Sequence, residues 1–78
     1  MTETELKQIY SVFTDAWRFY KKYSEPVGDD GFWNVAAEEC REIAKKHDNS
    51  RFSISLINTV FTEIEQLYKD AGGKENDK

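Results

Sequence analysis

Apolar residues in this chain recur in steps of three and four, and glycine and a single proline are what interrupt them. From Leu6 the run continues through Ile9, Phe13, Ala16, Tyr20 and Tyr23, the spacing of one face of an α-helix. Thr2 and Glu5 precede it at capping-box separation, so a first helix is predicted over roughly residues 3–23. "SEPVGDDG" ends it, with Pro26 and Gly28 as turn formers. Asp29 or Asp30 caps a second helix, predicted over 30–47, whose inward set is Phe32, Trp33, Ala36, Ala37, Cys40, Ile43 and Ala44. It stops at "KKHDN", where cations suit the negative end of the helix dipole.

Asn49 or Ser50 caps a third helix, predicted over 50–71. Its stripe is Leu56, Ile57, Val60, Phe61, Ile64, Leu67, Tyr68 and Ala71, and Gly72 closes it. Within it, "FSISLI" alternates like a strand. A lone strand would have no partner in this chain, so the segment reads as the start of the helix. Three amphipathic helices with short links predict an all-α fold, a small antiparallel three-helix bundle over residues 1–72. The tail 73–78 has no apolar residue to dock and is expected to be disordered.

Aromatic and basic residues mix in "DAWRFYKKY", residues 15–23. At about 100° per residue, Phe13, Tyr20 and Tyr23 share a direction with Leu6 and Ile9. Arg18, Lys21 and Lys22 lie roughly opposite, beside Asp15. A stacking surface for nucleic acid needs cations and exposed rings on one face, so the rings are expected to be core. Opposite charges are expected to meet at the bundle ends, Glu3 and Glu5 near Lys45, Lys46 and Arg51, and Arg18, Lys21 and Lys22 near Asp29, Asp30 and Asp70.

The apolar arc of the first helix is wider than one core needs. Val12 and Phe19 extend it on one side, Tyr10 and Trp17 on the other, and the third helix overflows at Phe52, Ile54 and Phe61. These residues either fill the room left by the alanines of the second helix or form an exposed patch that binds a protein partner. Self-association as a homodimer follows from the second reading, with the first helix at the interface and Phe19 or Trp17 among its anchors.

Composition narrows the function. With 78 residues the chain is one domain, near the size where a core needs dense packing, a staple or a partner. A single cysteine permits no internal disulfide and suits a reducing compartment. A polar start and the lack of a long apolar run lead to the expectation of a cytoplasmic protein without membrane partners. Eleven basic and fifteen acidic residues, a net charge of −4, disfavour a general binder of nucleic-acid phosphates.

Candidate chemistry is thin. Glu38 and Glu42 share a helix face beside Arg41, Lys45 and Lys46, the pattern of a solvated salt-bridged surface. His47 has no nucleophile at a telling spacing, and Cys40 falls among alanines. No catalytic, metal or cofactor site, and no small-molecule substrate, is evident. The reading is a non-enzymatic protein-interaction module, self-associating or adaptor-like. The first alternative is an inhibitor-type protein of phage or mobile-element kind that binds a larger macromolecular machine. The second is a small enzyme or enzyme subunit using Glu38, Glu42 and His47.

Overall fold

The computed structural model describes residues 1–72; the tail expected to be disordered, 73–78, lies outside the described residues. Three helices follow one another, α1 (Glu3–Lys22), α2 (Asp30–Lys46) and α3 (Arg51–Asp70), and the described residues contain no strand. Local sequence sets each boundary. The Thr2 hydroxyl accepts from the Glu5 amide and the Glu5 carboxylate from the Thr2 amide, which closes a capping box on α1. Asp29 caps α2 and Ser50 caps α3. The ambiguous "FSISLI" is helical throughout, because Ser50 caps it and satisfies the buried Ser53.

Between α2 and α3 the chain turns through Asp48 and Asn49, both at positive φ (58° and 53°). Asp and Asn are the non-glycine residues that enter this region most readily. Their amides bond back to Lys45 and Ala44, so a two-residue reversal keeps its backbone groups satisfied. In the α1–α2 link, Gly28 leaves room for the Tyr68 hydroxyl of α3, which a Cβ there would strike.

Ring contacts fix the directions. Phe13 meets Phe52 at 5.5 Å between centroids and Phe19 meets Phe61 at 6.5 Å, so α1 and α3 run parallel. Trp33, near the start of α2, meets Tyr68 at the end of α3 at 5.7 Å, so α2 runs against them. The core is a chain of mostly edge-to-face aromatics, Phe19–Tyr23–Phe32–Trp33–Phe61, set on Ala16, Ala36, Ile57 and Ile64. The small inward residues of α2 let these large rings from α1 and α3 approach closely.

The buried face of α1 departs from the predicted one. Leu6 and Phe13 are 54% and 52% exposed, while Val12, Asp15, Ala16, Phe19 and Tyr23 are buried. Two overlapping 3–4 patterns run along this helix, one through 6, 9, 13, 16 and 20 and one through 12, 16, 19 and 23. α1 must face α2 as well as α3, and that requirement selects the second pattern. Phe19, at 1% exposure the largest fully buried side chain, therefore belongs to the core and not to a surface patch, and Val12 is buried with it.

The expected pairing of charges at the bundle ends is also revised. Glu3 and Glu5 make no ion pair among the described residues, because the first turns of α1 run past the α2–α3 turn, which lies beside Gln8, Ile9 and Val12. The ion pairs that join helices among the described residues are Lys22 with Glu39, and Lys46 and His47 with Asp15.

Candidate functional site

Two features of α1 carry what chemistry the molecule has. The first is a stripe of exposed apolar side chains. Leu6, Tyr10, Phe13 and Trp17 follow at intervals of four, three and four, the spacing of one coiled-coil seam. Tyr10 and Trp17 are 72% and 59% exposed. Phe52 of α3, itself partly exposed, lies edge-on against Phe13 and widens the stripe, and the half-buried Tyr20 stacks on Trp17 at its far end.

Of the residues expected to bind a partner, the structure brings Tyr10, Trp17 and Phe52 to this surface. Phe61 is half-buried between Phe19 and Trp33, in the core. Ile54 is exposed but lines a different, open cleft of about 350 Å³ between α2 and α3 with Cys40, Ala44 and Ile57. Leu6 and Phe13 were legible as apolar but had been placed inside.

The expected separation of rings and cations on α1 does not hold. Once the helix turns so that Phe19 is inward, Trp17 faces out and the Lys21 ammonium sits 6.0 Å from its ring centroid. Lys22 lies 5.5 Å from the Tyr23 ring.

The second feature is a polar cluster between α1 and the end of α2. Asp15, expected on the solvent face, is buried. His47 Nε2 lies 2.7 Å and Lys46 Nζ 3.1 Å from its Oδ2. Burial raises the Asp15 pKa, but the hydrogen bonds from His47 and Lys46 outweigh it and hold the carboxyl below its ordinary range. The ionised carboxylate can only accept, so Nε2 carries the proton and donates. A second tie links the same helices. The Tyr23 hydroxyl donates to Glu39 at 2.7 Å and Lys22 donates to the same oxygen at 2.9 Å.

The residues of the enzyme alternative are not brought together. Glu38 pairs with Arg41 at 2.6 Å on the exposed face of α2, while His47 is committed to Asp15. Asp15 and His47 form a pair with no hydroxyl or thiol hydrogen-bonded to the imidazole among the described residues. No group of three or more His, Cys, Asp or Glu side chains placed to share a metal ion occurs among them either. Burial, reinforced by Glu39, pushes the Cys40 thiol up to about 11. At pH 8 that leaves roughly a hundredth of the thiolate an ordinary cysteine carries. Iodoacetamide should accordingly label Cys40 about a hundredfold more slowly in the folded protein than in urea, and equal rates would contradict its burial.

No helix of the described residues is long and apolar enough to cross a membrane. Comparison of the chain with protein families, with curated proteins and with solved structures finds no match, so any functional reading rests on the geometry above.

Proposed function

We propose that this is a non-enzymatic protein-interaction module that docks a partner helix along the exposed face of α1. The single observation that supports this is the Leu6–Tyr10–Phe13–Trp17 stripe, four large apolar side chains at coiled-coil spacing, each more than half exposed. Contiguous apolar surface of this kind marks protein contacts more often than small-molecule sites, and Tyr and Trp are the residues that most often anchor them. Self-association and an adaptor role both use this face. An inhibitor that blocks a larger machine would use it too.

One observation favours a second reading. Lys21 beside the exposed Trp17 ring resembles, in miniature, the stacked-base platforms of single-strand binders. The net charge of −4 and the acidic Glu3 at the head of the stripe weigh against it.

Two measurements separate the readings. A tagged chain and its Tyr10→Ser/Trp17→Ser variant, both checked for unchanged helicity, are used to capture proteins from the native host. The docking reading expects proteins, including untagged copies of the chain, that the variant fails to retain; identical retention contradicts it. Fluorescence anisotropy with a single-stranded oligonucleotide at about 0.15 M salt is expected to show no binding. Micromolar affinity lost on Lys21→Glu would transfer the stripe to nucleic acid.

A further inference from the structure

We infer that the occupant of the α1 stripe is the same stripe of a second copy, packed antiparallel about a two-fold axis that crosses α1 between residues 11 and 12. This rests on the docking reading above and adds the partner and its orientation.

The order of side-chain sizes along the seam supports the antiparallel sense. With the axis at that point, Trp17 of one copy lies opposite Leu6 of the other at both ends, and Tyr10 lies opposite Phe13 at the centre. Large meets smaller at each outer level, which is how facing layers interdigitate without voids. A parallel pair would set Trp17 against Trp17 and Leu6 against Leu6, crowding one level and leaving space at the other.

Charge selects the same sense. Stepping about 100° per residue, Glu3 and Lys21 flank the stripe on one side, at its opposite ends. In the antiparallel pair each Glu3 meets the Lys21 of the other copy, and the two helix dipoles oppose. In the parallel pair the two Glu3 side chains fall on opposite sides of the seam, as do the two Lys21, so neither pair forms, and the dipoles align. Among the described residues Glu3 has no ion-pair partner, and Lys21 has only the Trp17 ring. Both are free to pair across the axis.

The area is sufficient for a modest dimer. The four side chains and their flanks would bury about 500 Å² per copy, or about 1,000 Å² in all, the low end of specific interfaces. The first turns of α1, exposed over residues 1–8, gain the most from the second copy. They also bring the two Leu6 side chains within reach of the opposite Trp17.

Charge reversal tests the arrangement by sedimentation equilibrium at low salt, using the wild type, Glu3→Lys, Lys21→Glu, and the chain carrying both changes. The antiparallel pair is expected to dimerise at tens of micromolar concentration. Each single reversal should weaken it about five- to tenfold, since two exposed pairs turn from attraction to repulsion. The double variant, and an equimolar mixture of the two single variants, should recover it. In about 1 M salt the differences should vanish. Single variants as tight as the wild type, with a mixture no tighter than either, would show that Glu3 and Lys21 do not meet across the seam, as in a parallel pair, and overturn the inference. A wild type that stays monomeric up to about 500 μM would overturn the second copy as occupant, and the host capture then decides the docking reading separately. A dimer that persists undiminished in Tyr10→Ser/Trp17→Ser would place the contact elsewhere and overturn both.

Discussion

Replacing Phe19 by alanine is expected to remove most of the protein's stability at room temperature without the change being felt first at any interface. Phe19 is 1% exposed and touches Tyr23 and Phe61 at the centre of the aromatic chain. Removing such a ring costs about 3–5 kcal/mol in lost transfer energy and residual cavity. A bundle of this size has about 5 kcal/mol in total to lose. The milder Phe19→Leu keeps most of the volume and should lower the thermal midpoint by roughly 5–10 °C, on the scale of 4–8 °C per kcal/mol in a domain this small. Dilute samples, at about 1 μM, make the measurement one of the single chain. A midpoint unchanged in Phe19→Leu, with association weakened instead, would return Phe19 to the surface.

Asp15→Ala should cost about 2–3 kcal/mol at pH 7, because it strands the largely covered His47 ring and removes two charge-assisted hydrogen bonds between α1 and α2. The pH dependence has a definite sign. Burial alone would raise the Asp15 pKa, but His47 and Lys46 hold it below its unfolded value. The stabilisation is therefore fully present above the unfolded carboxylate value, near pH 4, and is lost as pH falls through the lower folded value. Urea titrations of the wild type and Asp15→Ala should differ most near neutrality and converge at about pH 2. A gap that stays constant down to that pH would mean the carboxylate charge plays no part.

The three helices and, to within one residue, their caps were legible because each rests on short-range chemistry: Thr2 with Glu5, Asp29 beside Asp30, Ser50 beside Asn49, and Gly72 at positive φ. The rotation of α1 was not. Its aromatic content supports two seams about equally, and periodicity alone does not say which one meets α2 and α3. The choice depends on long-range fits, Phe19 against Phe61 of α3 and Asp15 against His47, which lie 32 positions apart in sequence for the second pair. An aspartate amid apolar neighbours and a lone histidine at a helix end were visible separately, but their spacing gave no sign that they meet. The same rotation took Val12 and Phe19 out of the candidate interface, left Tyr10 and Trp17 in it, and added Leu6 and Phe13. Trp17 and Phe19 stand two residues apart and ended on different sides of the helix.

That division of α1 into an inner face at Phe19 and an outer face at Trp17 is tested most directly by sedimentation equilibrium of the wild type and Trp17→Ala from about 1 to 500 μM. The wild type is expected to pass from monomer to dimer across this range. Trp17→Ala should remain monomeric at least tenfold further, as loss of a large aromatic anchor implies, while its thermal midpoint at about 1 μM matches that of the wild type. Trp17→Ala dimerising as readily as the wild type, or losing stability as a dilute monomer to the extent expected of Phe19→Ala, would contradict the account.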